Sequence, residues 1–297
     1  MLDFRPITPE DRELIHNNLY RATGHGSEYS FANLFLWGDQ KVAVFQGAPV
    51  FFSRFGSWLS YLLPQDTDLK AAVCALREDA HERNIPFRLF GLTPREVERL
   101  SFLFPEEFRF RAQRNSFDYV YEIDRLADLK GKKLQAKRNH CNRFETNFPD
   151  YEILPLTEEL LPPCRELTEK WYLSHEEGSP ETDYSGEKAA ISKAFDNFSA
   201  LRMEGIGLKT DEGIVAFSMG NLIRGDTFDV NFEKAIGEVH GAYPMINREF
   251  ARRIREKHPE VRFLNREDDM GLEGLRKAKE SYFPDILLEK YVGEEIG

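Results

Sequence analysis

The chain has 297 residues, 41% hydrophobic and 31% charged, and its 51 Asp and Glu outweigh 40 Lys and Arg to give a formal charge of −11. That composition supplies a core and a charged surface and so excludes a disordered chain, while the acidity excludes a generally basic nucleic-acid coat and leaves room for a local basic site. At roughly 100 to 200 residues per domain, the length predicts two domains.

The opening MLDFRPITPEDREL lacks the basic-then-apolar order of a secretion signal. No apolar run downstream approaches the roughly 18 residues of a membrane span, so the sequence predicts a cytoplasmic protein. Short strands are expected at Val42–Phe45 and Val50–Arg54, joined through a Gly-Ala-Pro turn, and at Trp58–Leu63, which together read as a meander. Leu69, Val73, Leu76 and Ala80 recur at helical spacing over 69–83, and Pro86 introduces a strand at Phe87–Phe90. Thr93 is placed to cap a helix over Pro94–Leu103, and strands are expected at Phe108–Arg111 and Phe117–Ile123. These elements make one alpha/beta domain of residues 1–125. Cys74, Cys141 and Cys164 are far apart and stand away from histidine at metal-ligand spacing, which predicts neither a disulfide framework nor a structural zinc or other metal site.

Residues 126–149 read as a basic linker helix. Leu134, Cys141 and Phe144 share one face, and Lys130, Lys132, Lys133, Lys137, Arg138 and Arg143 concentrate positive charge before Glu145. Such a helix is either a solvated linker or an anion-binding element for phosphates of a nucleic acid or an acidic lipid. Beyond it, residues 150–297 repeat the alternation of helix and sheet. A strand is expected at Tyr151–Leu154, and helices at Glu158–Ser174 and Gly186–Phe198 flank the acidic loop HEEGSPETDYSG, a substrate-facing loop or a surface excursion. Three strands follow over Leu201–Lys209, Ile214–Ile223 and Thr227–Glu233. Ile246, Phe250 and Ile254 then mark a helix over Tyr243–Lys257. A strand at Val261–Leu264, a helix at Leu272–Ser281 and a strand at Ile286–Tyr291 complete the chain.

The basic helix, the ending NREDDMGLEGLRKAKESYFPD and the motif SEYSFANLFLW at Ser27–Trp37 together resemble a bacterial family related to the C-terminal catalytic domain of phosphatidylglycerol lysyltransferase. The resemblance covers nearly the whole chain. It implies an α/β (mixed α+β) protein of tandem acetyltransferase-like (GNAT) domains, each a mixed β-sheet flanked by helices, as in Fem-type aminoacyltransferases. It further implies an acyltransferase that moves an aminoacyl group from aminoacyl-tRNA to a lipid hydroxyl or other small acceptor, with no required cofactor. The C-terminal half is the expected catalytic domain, meeting charged tRNA and, peripherally at the inner membrane face, anionic lipid. The alternatives are acetyl-CoA-dependent N-acetyl transfer and a non-catalytic binding protein that keeps the double fold. Against acetyl-CoA, Thr227–Gly241 lacks a compact glycine-rich phosphate-binding motif; GEVHG at Gly237–Gly241 is a loose turn before a helix.

Polar residues at a strand end can face a cleft, which singles out Asn265, Arg266, Glu267, Asp268 and Asp269 after the Val261–Leu264 strand. In a lysyl-transfer reading one of the three carboxylates pairs with the aminoacyl ammonium; the other reading is helix capping by Asp268 or Asp269. Arg276, Lys277 and Lys279 are candidates for a terminal phosphate or reacting ester, or are solvated helix charges. Asn231 and Glu233, near a strand end, are candidates for the same cleft or an exposed edge. His240 is the first candidate for the base that assists the acceptor, ahead of His175, with Asp268 and Asp269 as further catalytic candidates. Lys132, Lys133, Lys137, Arg138 and Arg143 form the expected anion or RNA contact. Tyr243 and Tyr282 are possible hydroxyl donors or cleft-wall or core residues, and Ser27, Glu28 and Tyr29 are candidates to join the domain interface or to order a substrate loop.

Overall fold

A computed structural model describes residues 1–19, 26–65, 67–178 and 182–296. In chain order the first half forms β1 (Arg5–Pro6), α1 (Arg12–Leu19), α2 (Phe31–Leu36), β2 (Asp39–Phe45), β3 (Ala48–Phe55), β4 (Trp58–Leu62), α3 (Leu69–Glu82), β5 (Arg88–Leu92), α4 (Pro94–Leu103) and β6 (Phe108–Ala112). Next come β7 (Asp118–Glu122), α5 (Ile123–Asp128), α6 (Gln135–Asn147), β8 (Glu152–Pro155), α7 (Leu161–Gly178), α8 (Ser185–Asp196) and β9 (Glu204–Thr210). The chain closes with β10 (Gly213–Arg224), β11 (Thr227–Ala235), α9 (Ala242–Lys257), β12 (Phe263–Asn265), α10 (Glu273–Glu280), β13 (Ile286–Leu288) and β14 (Tyr291–Glu295).

Two mixed sheets result, ordered β1-β2-β3-β4-β5-β14-β6 and β13-β7-β12-β11-β10-β9-β8. Each is an antiparallel meander followed by one parallel pair, β4 with β5 and β11 with β12. A parallel pair needs a crossover, supplied by α3 in one sheet and α9 in the other. This is the tandem acetyltransferase-like architecture, two mixed sheets each flanked by helices. Each sheet takes one strand from the other half of the sequence: β14 lies between β5 and β6, and β7 between β13 and β12. Consequently Phe108–Arg111 and Phe117–Ile123, neighbours in sequence, do not pair, and the strand expected at Ile286–Tyr291 divides into β13 and β14 of different sheets. The compact units are Met1–Asp118 with Glu267–Arg276 and Leu287–Gly297, and Tyr119–Arg266 with Lys277–Ile286.

Local chemistry explains several element boundaries. Phe45 pairs with Ala48, so the β2–β3 hairpin turns on Gln46 and Gly47, both at positive φ (49° and 83°) as a tight right-twisted hairpin requires. Thr93 and Glu96 form a reciprocal capping box at the start of α4, with Pro94 in its first turn, and Asp68 accepts the Ala71 N–H at the start of α3. The first core gathers Val50, Tyr61, Val73, Leu76, Ala80, Leu89, Leu92 and Leu100. The second gathers Tyr119, Leu126, Cys141, Phe144, Leu208, Phe228, Ile246, Phe250 and Ile254. The faces carrying Leu69, Val73, Leu76 and Ala80 and Ile246, Phe250 and Ile254 are therefore the faces that pack. The expected linker helix over 126–149 is two helices, α5 and α6, separated because Leu129 turns left-handed (φ 50°) to end α5. Helix α7 continues through His175 to Gly178, so the expected acidic loop is shorter than the sequence suggests, and its residues 179–181 lie outside the described residues.

Candidate functional site

Strand β11 carries Asp229, Asn231 and Glu233 at alternate positions, so all three project from one face. The Asn231 amide donates to Asp229 at 3.1 Å, and both are buried. Glu233 is the hub: Oε1 accepts from Arg266 Nη2 at 2.9 Å, and Oε2 from Asn247 Nδ2 at 3.3 Å. Arg266 follows directly on β12, whose parallel pairing sets Asn265 opposite Asp229. Its guanidinium stands 5.0 Å from the Tyr282 ring and 5.8 Å from that of Tyr121. Lys279 donates to the Arg266 carbonyl, and the Tyr121 hydroxyl donates to the Lys279 carbonyl at 2.7 Å. Burial pushes the Tyr121 and Tyr282 hydroxyls well above the usual phenol range, so both stay protonated.

Lys137 reaches this hub from α6, its ammonium 4.2 Å from the centre of the Tyr282 ring. Burial, and after it the Arg266 charge, lowers the Lys137 pKa and favours the neutral amine. The rest of the basic segment has several duties. Arg138 donates to the Leu129 and Gly131 carbonyls and so ties down the α5–α6 turn, while Lys130 pairs with Asp128 at 2.8 Å. Lys133 lies over Phe283 at 5.2 Å, and Lys132, Lys133 and Arg143 are exposed.

His240 is exposed just before α9, its ring edge-to-face with His140 of α6 at 5.0 Å. Gly241 makes that approach possible: its φ is 91°, and a Cβ there would stand 2.6 Å from the His140 carbonyl oxygen. His140 is lowered by burial and then by the charges of His240, Lys137 and Arg143. Elsewhere in the unit Lys234 lies over the Trp171 ring at 3.5 Å and pairs with Glu187 at 2.8 Å. His175 stacks on Trp171 at 3.6 Å, and the indole N–H donates to the Tyr243 hydroxyl at 2.6 Å. Burial pushes that hydroxyl up to about 12.

The expected carboxylate cluster belongs to the first unit. Asp269, fully buried, accepts from Arg276 at 2.8 and 2.9 Å, from Arg114 at 3.0 Å and from the Gly271 N–H at 2.9 Å. Asp268 accepts from the Met270 N–H at 3.1 Å and Glu267 from the Asn33 amide at 2.9 Å. These bonds order the turn before α10, where Glu267, Met270 and Gly271 all have positive φ. Asn231, Glu233, His240, Asn265, Lys277 and Lys279 fall in the second unit, and Arg276 in the first. Asn247 belongs to the Glu233 hub although it is not among the candidates that the sequence singles out. It stands three and seven residues before Phe250 and Ile254, a polar side chain on an apolar stripe, and that mismatch is its signal.

Cavities of about 330 Å³ beside Glu98–Leu103 and about 530 Å³ beside His81, Arg88 and Glu294 hold none of these residues. Among the described residues no group of three or more His, Cys, Asp or Glu is placed to hold a metal, and no helix is long and apolar enough to cross a membrane.

The family described as phosphatidylglycerol lysyltransferase, C-terminal, matches residues 21–293. A conserved protein of unknown function from Bacteroides thetaiotaomicron superposes with a TM-score of 0.93 at 39% identity, over 100% of both chains. L-PGS from Bacillus licheniformis superposes with a TM-score of 0.68 at 16% identity, over 98% of this chain and 92% of that one, which is a likeness of fold. An uncharacterized protein of Mycoplasmoides gallisepticum is 23% identical over 188 residues, 61% of this chain, and the chain spans only 57% of that relative's length. FemX superposes with a TM-score of 0.56 at 10% identity, over 100% of this chain and 96% of that one, again a likeness of fold.

Proposed function

Because the chain belongs to the phosphatidylglycerol lysyltransferase C-terminal family, whose fold is that of acyltransferases, we propose that it transfers an aminoacyl group from aminoacyl-tRNA to a hydroxyl of a lipid or other small acceptor. The observation that carries this reading is Lys137. It stands on the basic helix α6 and lies over the same Tyr282 ring that Arg266 of the Arg266–Glu233–Asn247 hub faces, so a phosphate-attracting helix and a buried polar site belong to one unit. Lys132, Lys133 and Arg143 take the RNA phosphates, and the hub takes the aminoacyl end.

In the transfer the acceptor oxygen bonds to the aminoacyl carbonyl carbon, the bond from that carbon to the ribose oxygen breaks, and the acceptor proton passes to the ribose oxygen. Lys137, shifted toward its neutral form, and His240 are the groups suited to carry that proton, and the hub's cations oppose the charge of the oxyanion. With Lys137 in this role, activity rises with pH through a lysine titration below the usual range, and Lys137→Gln removes that limb. A pH limb that persists in Lys137→Gln and is lost in His240→Gln assigns the step to His240 instead.

A second reading, acetyl-CoA-dependent transfer, follows from the tandem acetyltransferase-like fold alone, since at the start of α9 the Ala242 amide donates to the Val239 carbonyl and Pro244 has no N–H to offer a phosphate. Binding of the purified protein to acetyl-CoA and to a mixed pool of aminoacylated tRNAs, across a salt series, separates the two. Salt-dependent, RNA-selective binding is expected; saturable acetyl-CoA binding with no affinity for charged tRNA overturns the first reading.

A further inference from the structure

Two buried polar atoms at the Glu233 hub lack hydrogen-bond partners among the described residues: Arg266 Nη1, a donor, and Asn247 Oδ1, an acceptor. Both side chains are withdrawn from solvent, Asn247 at 2% exposure and the Arg266 side chain at 13%. Their orientation is not arbitrary. Glu233 accepts through one oxygen from Arg266 Nη2 and through the other from the Asn247 amide nitrogen, and since a carboxylate can only accept, Asn247 must turn its oxygen away. One carboxylate therefore holds both side chains, with one N–H of Arg266 and the C=O of Asn247 directed away from it. A buried polar group left unsatisfied is costly, and such groups persist where a ligand satisfies them.

The occupant has to bring an acceptor to Arg266 and a donor to Asn247. A bare phosphate or carboxylate satisfies only the first and an alkyl ammonium only the second. An α-amino-acyl head satisfies both, with its carbonyl or carboxylate oxygen on Arg266 and its α-ammonium on Asn247, where the Glu233 charge favours a cation. We propose that Asn247 and Arg266, braced by Glu233, form the seat that recognises the α-amino and carbonyl groups of an amino acid, presented free or as an aminoacyl ester. This rests on the aminoacyl-transfer reading and assigns its donor-recognition residues.

Titration calorimetry with a panel of L-amino-acid amides, which mimic the ester, and the matching free L-amino acids tests the seat. At least one member of the panel should bind saturably. N-acetylation of that ligand should weaken binding at least about tenfold, as should Asn247→Leu, because each removes a bond to a charged group. Asn247→Leu leaves Glu233 paired with Arg266, and the N-acetyl comparison needs no variant at all, so a folding defect cannot decide the result. Preference for amides identifies the tRNA ester as the source, and preference for free acids a free amino acid. No saturable binding by any member, or equal binding of the N-acetylated ligand, overturns the seat. If transfer from charged tRNA proceeds and neither change matters, the seat falls and the transfer reading stands. Seat-dependent binding without any use of charged tRNA has the reverse meaning.

Discussion

Lys290 carries one positive charge into the interior of the first unit, where two carboxylates meet it, Asp118 at 2.7 Å and Glu28 at 2.5 Å. Asp118 also accepts from the Ser27 N–H at 2.8 Å and from its hydroxyl, which leaves Glu28 as the second anion on a single ammonium. Burial raises Glu28 against the pull of Lys290, the Asp118 charge adds to the rise, and the carboxyl reaches about 7. Between the ordinary 4.5 and that value the unfolded chain releases the proton while the folded chain keeps it, so Glu28 costs stability as pH rises through that window. Glu28→Gln cannot ionise, and its stability relative to the parent should therefore rise from about pH 5 to about pH 8 in urea denaturation. A difference that stays flat with pH would show that Glu28 ionises as an ordinary surface carboxylate. Glu28 stands in the SEYSFANLFLW motif, whose polar opening thus serves to anchor Lys290 and Asp118.

Among the elements, α4 shows how far local chemistry decides a boundary. Its capping box satisfies two backbone donors with Thr93 and Glu96 alone, Glu96 accepting from the Thr93 N–H at 2.8 Å, and both residues could be read directly from the sequence. Thr93→Ala should cost about 1 kcal/mol. The thermal midpoint should fall while ligand binding in the second unit is unchanged, and a variant of unaltered stability would mean that the box does not cap. Helix α6 is the contrary case. Its charge was plain in sequence, but the charges divide among a backbone clamp at Arg138, a half-buried amine at Lys137 and exposed side chains at Lys132 and Arg143. Spacing along one helix does not reveal that division, because Tyr282 and Arg266, which meet Lys137, come from more than a hundred residues further along the chain.

For the whole molecule, a formal charge of −11 opposes indiscriminate contact with RNA, so any phosphate binding must concentrate where cations are exposed. Replacing Lys132, Lys133 and Arg143 together by Gln should weaken association with charged tRNA. It should also make the fall of log K with log salt shallower, by about 0.7 to 0.9 for each phosphate that the variant no longer neutralises. An unchanged slope would place the RNA elsewhere.

The sequence by itself determined the class of fold, because helical and strand periodicities, the Thr93 cap and the hairpin turns are local, and each is set by residues within a few positions. It also held the family, through three separated motifs. Only the tertiary structure decided the strand exchange, which sends β7 and β14 into sheets that sequence adjacency does not suggest. The site followed the same rule. Asp268 and Asp269 stood out as a carboxylate run, but folding surrounds Asp269 with Arg114 and Arg276. Glu233, Asn247 and Arg266 come from β11, α9 and the residue after β12, and they acquire a common purpose only where the parallel β11–β12 pairing and its crossover helix bring them onto one carboxylate. Hydrogen bonding acts over about 3 Å in space and is blind to separation along the chain, which is why the fold was legible in the sequence and Glu233 and Arg266 stood out as polar strand-end residues, while Asn247 and the bonds that join the three did not.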